Sequence, residues 1–123
     1  MTDSISNNSK CDGLYVKVSI HDKEYRFLVD TGASDSYISR QVFENIPENQ
    51  RPVLQEPNKN AKLADNSPLP LHGIVTLELK IGPTCGFSKL LVADISNDGI
   101  IGLDNLCKME AKIDLANFRL CTK

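Results

Sequence analysis

Residues 27–34 read Phe-Leu-Val-Asp-Thr-Gly-Ala-Ser, so three apolar residues lead directly into Asp30. An uninterrupted apolar run of this kind is typical of a strand buried on both faces. A carboxylate at the end of such a strand is costly to bury unless hydrogen bonds hold it. Thr31 can supply a hydroxyl, and the amide of Gly32 can approach closely because no Cβ blocks it. The pattern predicts a reactive aspartate at the floor of a cleft, although Asp-Thr-Gly alone is also a common turn.

Size and charge limit the classes of protein to consider. The 123 residues suit a single domain, and the apolar fraction of 41% is enough for one core. The net charge of −2 favours neither nucleic acid nor an anionic membrane as a partner. No apolar run approaches the roughly 20 residues that span a bilayer. Residues 1–11 are polar and predict a flexible tail rather than a signal peptide, which leaves residues 12–123 as the domain.

The cysteines and histidines do not form a metal-binding pattern. Both His21 and His72 are isolated, and the four cysteines are widely spaced: Cys11, Cys85, Cys107 and Cys121. Ligands of structural zinc sites are spaced much more closely than this. We therefore expect no metal, no cofactor, and reduced thiols in a cytoplasmic setting.

The first half of the chain predicts a hairpin and a short helix. Apolar and polar residues alternate over 14–20, a polar turn follows at 21–23, and residues 24–29 return as the second arm. Residues 36–38 are predicted to be extended. Ser39 is a good N-cap for a helix over 40–46 that ends at Pro47. Residues 47–57 predict a loop with one short strand at most.

The second half predicts more strands around a long hairpin. Residues 60–81 read as one hairpin with a polar tip at 65–68, where Asn66 tolerates left-handed backbone angles. An apolar strand is expected over 87–93, and a short helix over 104–109 with Asp104 as its N-cap. Residues 111–120 alternate again around a turn at 116–117.

A second apolar segment that ends on glycine, Ile100-Ile101-Gly102, makes the pattern specific. With this segment and the Asp-Thr-Gly segment, the chain resembles a retropepsin, the single-domain aspartic protease of retroviruses and retrotransposons. The resemblance extends from about Leu14 to Leu120. The resemblance implies an all-β, closed barrel-like fold with a flap hairpin, one short C-terminal helix and action as a homodimer. The run Ile-Ile-Gly-Leu-Asp-Asn-Leu, followed by Ala-Lys-Ile-Asp-Leu, looks closer to retrotransposon proteases than to retroviral ones. Retroviral relatives commonly carry an arginine and an aspartate where this chain has Leu103 and Ser34.

The resemblance also implies the roles of particular residues. Asp30 would be the acid and base, Thr31 would brace it, and Gly32 would let the substrate backbone approach. Residues that would contact the substrate are Ala33 and Ser34, Ile100 in a pocket, and the flap tip, which comprises Ala64, Asp65, Asn66 and Ser67. The Ile-Ile-Gly segment would cross behind the catalytic loop, and the flap would close over a polypeptide substrate.

The chain carries one Asp-Thr-Gly, whereas an aspartic protease needs two carboxylates. We therefore expect a symmetric homodimer with one Asp30 from each protomer, joined through residues 111–121. The predicted activity is endopeptidase action in retroelement polyprotein processing. Two alternatives remain open at this point: a non-catalytic retropepsin-like module for dimerisation or binding, and a small β-barrel binding domain with an accidental motif.

Overall fold

The computed structural model describes residues 13–57, 61–62, 66–117 and 119–122, so the predicted tail lies outside the described residues. The strands in these ranges are β1 (Leu14–Ile20), β2 (Lys23–Val29), β3 (Tyr37–Ser39), β4 (Ala61–Lys62), β5 (Pro68–Leu69), β6 (Leu71–Ile81), β7 (Thr84–Ala93), β8 (Gly99–Ile101), β9 (Lys112–Asp114) and β10 (Arg119–Cys121). The helices are α1 (Arg40–Asn45) and α2 (Leu103–Lys108), and Glu48–Gln50 form a 3₁₀ turn. No helix in the described ranges is long and apolar enough to cross a membrane.

Six of the strands close into a barrel in the order β1-β2-β8-β3-β7-β6. Strands β4 and β5 form a separate two-stranded sheet, and so do β9 and β10. The barrel interior is filled by apolar side chains from all six of its strands, and α1 packs its apolar face against the same core. The predicted all-β fold built on a closed barrel is confirmed.

The hairpin of β1 and β2 forms as the alternation predicts. Every second side chain of β1 is buried. Its turn residues His21 and Asp22 have φ values of 49° and 66°, the positive angles that match the twist of a two-residue hairpin turn. The prediction that residues 27–29 are buried on both faces is wrong, because only Phe27 is fully buried. Leu28 points to the opposite face and Val29 lies at the end of the strand, so both are half-buried.

The short helix α1 begins at Arg40 as predicted and ends at Asn45, one residue before the predicted end. The side chain of Ser39 accepts a hydrogen bond from the amide of Val42 at 3.1 Å, which satisfies one of the free donors of the first turn. At the other end, the guanidinium of Arg51 donates to the carbonyl oxygen of Ile46 at 3.0 Å and lies over the ring of Phe43. Hydrogen bonds therefore satisfy free backbone groups at both ends of the helix.

The predicted single hairpin over residues 60–81 is divided in two. Among the described residues, strand β4 pairs with β5 and no other strand, whereas β6 pairs with β7 and contacts β1. The break falls at Pro70, which has no amide to donate to a ladder. Within β6, the predicted alternation is confirmed, with every second residue from Gly73 onward buried. Strand β7 begins at Thr84, three residues before the predicted start.

The C-terminal region contains one correction. Helix α2 begins at Leu103 with Gly102 as its N-cap, so the prediction of Asp104 as the N-cap is wrong. The carboxylate of Asp104 instead accepts hydrogen bonds from Ser36. The alternation after the helix is confirmed as the antiparallel pair β9 and β10.

Candidate active site

Asp30 lies immediately after β2, at the end of the strand where the barrel presents a loop. Strand β2 runs parallel to β8, with Leu28 opposite Ile100 and Val29 opposite Ile101. The amide of Asp30 extends this pairing by donating to the carbonyl oxygen of Ile101 at 2.9 Å. The Ile-Ile-Gly segment therefore lies directly beside the Asp-Thr-Gly loop.

The carboxylate of Asp30 is oriented by its own loop. The amide of Gly32 donates to Oδ1 of Asp30 at 2.8 Å, and the amide of Ala33 donates to the Asp30 carbonyl oxygen at 3.2 Å. A Cβ on Gly32 would lie 3.2 Å from the same Oδ1, so the glycine keeps this approach open. Asp30 is half-buried, and Thr31 is exposed. The approach expected of the Gly32 amide is thus present in the single chain, and the hydrogen bond from the Thr31 hydroxyl stays a prediction.

The second half of the loop rests on the start of α2. The amides of Leu103 and Asp104 donate to the carbonyl oxygens of Ala33 and Ser34 at 2.8 and 3.1 Å. Gly102 lies so close beneath the loop that a Cβ there would be 2.7 Å from the carbonyl oxygen of Ala33. Backbone bonds to β8 on one side and to α2 on the other therefore hold the loop in place.

The buried Ser36 connects the end of the Ile-Ile-Gly segment to α2 by hydrogen bonds. The hydroxyl of Ser36 donates to Oδ1 of Asp104 at 2.7 Å and accepts from the amide of Gly102 at 2.9 Å and from Nδ2 of Asn105 at 2.8 Å. Both Ser36 and Asn105 are buried. The sequence interpretation did not single out these residues. The signal was present, because period-two alternation places Ser36 on the same face as the buried Ile38.

Replacing Ser36 with alanine is expected to lower the free energy of unfolding by about 2 kcal/mol, because it leaves buried donors on Gly102 and Asn105 without an acceptor. Urea unfolding of both proteins measures this difference. Ser34→Ala is the matched control, since Ser34 is exposed and contributes only its carbonyl oxygen to the contacts described above. Equal stability of the two variants would contradict the assigned role of the hydroxyl.

The residues predicted to form the flap tip are placed only in part. Ala64 and Asp65 lie outside the described residues. Asn66 is exposed with a φ of 72°, the left-handed angle expected for it, and Ser67 is half-buried. In the part of the chain that the structure describes, the sheet of β4 and β5 pairs with no strand of the barrel. The structure thus brings Ile100 to the Asp30 loop but shows no pairing between that loop and the hairpin.

The base of this hairpin is fastened to the barrel by backbone. Gln55 and Ile74 exchange two backbone hydrogen bonds, at 2.9 and 2.8 Å, on either side of the hairpin. Between the hairpin and Ile74, Gly73 has a φ of 154°, which L side chains rarely adopt. A Cβ on Gly73 would also lie 2.8 Å from the carbonyl oxygen of Gln55. These backbone contacts fix the position at which the hairpin joins the barrel.

Charged side chains meet beside this base. Nε2 of His72 lies 3.0 Å from one carboxylate oxygen of Asp94, and Nε of Arg40 lies 3.1 Å from the other. The hydrogen bond from His72, helped by the charge of Arg40, holds the pKa of Asp94 below its usual value. All three side chains are partly exposed, so solvent screens the pairs and their contribution to stability is small.

A family model described as aspartyl protease matches residues 16–105, and the chain belongs to that family. The matched residues include the Asp30 loop, both strands of the β6–β7 hairpin and the start of α2.

Several solved structures share the fold of this chain. The chain is similar to the retroviral protease-like domain of Ddi1 from Leishmania major, with a TM-score of 0.72 and 21% identity over 90% of this chain and 88% of that one. It is similar to the EIAV protease in complex with the inhibitor HBY-793, with a TM-score of 0.70 and 20% identity over 89% of this chain and 99% of that one. It is also similar to a retropepsin-like aspartic protease from Rickettsia conorii, with a TM-score of 0.64 and 20% identity over 98% and 88%. At these identities the likeness concerns the fold, and the predicted retropepsin-like fold is confirmed.

Proposed function

We propose that this chain is one protomer of a homodimeric aspartic endopeptidase, in which the Asp30 residues of two copies form the catalytic pair. The observation that carries the proposal is the half-buried Asp30 at the end of β2, with Oδ1 held by the amide of Gly32 at 2.8 Å. The sequence holds one Asp-Thr-Gly, and the chemistry needs two carboxylates. A second copy of the chain, related by a two-fold axis beside this loop, supplies the second carboxylate.

The proposed reaction follows from two carboxyl groups in contact. They cannot both ionise cheaply, so the pair keeps one proton, and this proton belongs to the pair rather than to either residue. The ionised carboxylate takes a proton from a water molecule, whose oxygen attacks the scissile carbonyl carbon. The protonated carboxyl group donates to the carbonyl oxygen as negative charge develops there. When the tetrahedral intermediate collapses, the leaving amine takes a proton from the pair.

The remaining site residues are proposed to hold an extended polypeptide. Thr31 braces the catalytic pair, and Ala33 and Ser34 contact the substrate backbone. The hairpin tip, which comprises Ala64, Asp65, Asn66 and Ser67, covers the substrate from above. Ile100 is half-buried and lies beside half-buried Leu28, so the pocket next to the cut is apolar and favours large apolar side chains.

The proposed substrate is a retroelement polyprotein that contains this domain, and the proposed compartment is the cytoplasm. In the part of the chain that the structure describes, Cys85 and Cys107 are free thiols, which is consistent with a reducing compartment. Cys11 lies outside the described residues. Membership of the aspartyl protease family supports the reaction class.

The sheet of β9 and β10 is the proposed dimer surface. It lies outside the closed barrel, and β10 packs against β1 through the buried Leu120. Ile113 and Leu115 are 37% and 67% exposed in the single chain. Leu115 lies in the turn directly after β9, and apolar side chains exposed together at a surface are typical of a region that another chain covers.

Peptide cleavage per protomer is expected to fall as the protein is diluted below the dissociation constant of the dimer, because a monomer holds only one Asp30. A dilution series measures cleavage per protomer, and sedimentation measures the fraction of dimer at each concentration. The two curves should coincide. Leu115→Glu should move both curves to higher concentration, by at least about tenfold, since a charge would be buried in the contact.

Val53→Glu is the matched control, because Val53 is 86% exposed on the loop before the hairpin and lies outside the proposed surface. Full cleavage activity in a sample that is entirely monomeric would refute the dimeric mechanism. A dimer without cleavage at any concentration would favour the alternative of a non-catalytic module.

A further inference from the structure

The inner face of β7 lacks one side chain. Thr84, Gly86 and Ser88 alternate along the same face as the buried Leu90. Gly86 lies opposite the buried Leu79 of β6, and a Cβ built on Gly86 would have no heavy atom within 4 Å. A glycine therefore leaves a gap in a row of inward side chains.

This gap opens into a cavity of about 270 Å³ between the β6–β7 hairpin and α2, which we name the Gly86 cavity. Its apolar lining comes from Leu79, Ile81 and Met109. At its edge, Phe87 is 63% exposed, and Nζ of Lys108 donates to the carbonyl oxygen of Phe87 at 2.5 Å. The lining includes no residue of the Asp30 loop, so the Gly86 cavity is distinct from the proposed catalytic site.

We propose that the Gly86 cavity is a second binding site, which takes an uncharged aromatic group of about the size of an indole ring. An enclosed apolar cavity of about 150 Å³ binds benzene, and the Gly86 cavity, which is open to solvent beside Phe87, has room for a larger ring system. An apolar floor with a few polar groups at the edge is the usual character of small-molecule sites. The edge carries one cation, Lys108, and one anion, Glu110, and the floor would desolvate a charge, so an uncharged group is favoured.

One wall of the Gly86 cavity belongs to the network beneath the Asp30 loop. Asn105 lines the cavity and is 5% exposed, and its Nδ2 donates to the Ser36 hydroxyl at 2.8 Å. The same hydroxyl accepts from the amide of Gly102. A ligand that contacts Asn105 therefore touches a residue that is hydrogen-bonded to Ser36, and Ser36 supports the loop. Ligand binding is thus coupled to the position of Ser36. Binding itself does not depend on the proposed proteolytic function.

Titration of the ¹⁵N-labelled protein with indole tests both statements. We expect saturable shifts of the backbone amides of β7 from Cys85 to Ser88 and of α2, together with a shift of the Ser36 amide. Gly86→Val should weaken indole binding at least tenfold, about 1.4 kcal/mol, because the new side chain fills the gap. Valine also suits a strand, so this variant should be at least as stable as the parent protein. Gly86→Ala is the control, since one methyl group leaves most of the volume open.

The outcomes test the site, its coupling to Ser36 and the proposed protease activity separately. Absence of saturable shifts in the parent protein, or equal binding by Gly86→Val, would overturn the proposed site. Binding without any shift at Ser36 would overturn the coupling. The titration is repeated on the Asp30→Asn variant, where the same shifts are expected, because none of these readouts requires cleavage. A chain that binds indole but cleaves no peptide would therefore count against the proposed protease activity alone.

Discussion

Replacing Asp30 with asparagine is expected to lower kcat/KM for peptide cleavage by at least about 10³-fold, with the fold retained. Asparagine has nearly the same shape, and its oxygen can still accept the 2.8 Å hydrogen bond from the amide of Gly32. It cannot take a proton from water, so the pair loses its base. Cleavage of a peptide that carries large apolar residues beside the cut, followed at mildly acidic pH, measures the effect.

The same variant also tests the two-fold symmetry. A large excess of Asp30→Asn protein should suppress the activity of the parent protein, because mixed dimers contain only one functional carboxylate. Asp22→Asn is the matched control: Asp22 has a φ of 66° in the exposed β1–β2 turn, where asparagine is equally suitable. An Asp30→Asn protein that cleaves peptide at the parental rate would refute the assignment.

Replacing Gly102 with alanine is expected to lower the free energy of unfolding by about 3 kcal/mol and to remove most peptide cleavage. Gly102 has a φ of −96°, which any residue adopts, so the cost is steric. The added Cβ would lie 2.7 Å from the carbonyl oxygen of Ala33 and still closer to that of Asp35. These are backbone atoms of the catalytic loop, so they cannot rotate away as a flexible side chain would.

Urea unfolding and peptide cleavage measured on one preparation test this prediction. Gly86→Ala carries the same chemical change at a position with open space around the new Cβ, so it should leave both quantities nearly unchanged. If Gly102→Ala were as stable and as active as Gly86→Ala, the close packing of α2 beneath the loop would not be important for the site.

Local sequence patterns were enough to predict the barrel strands and the candidate aspartate. Alternation over residues 14–20 and 74–81 is a local property that specifies which side chains face a core, and β1 and β6 follow it. Ser39 was recognised as an N-cap because the cap acts within its own helix. The Asp-Thr-Gly and Ile-Ile-Gly segments, 70 residues apart from Asp30 to Ile100, indicated the fold because their residue types recur together in one family.

The support of the site depends on contacts between distant segments, which local patterns do not report. Asp104 has the residue type and position of an N-cap, but contact with Ser36 across the fold takes its carboxylate, and Gly102 caps α2 instead. Leu28 has the same apolar character as its neighbours, yet its exposure depends on which strands cover its face. Local patterns report hydrophobicity and backbone preference within a few residues. Hydrogen bonds between Ser36 and α2, and the gap at Gly86, depend on which distant segments the closed barrel brings together.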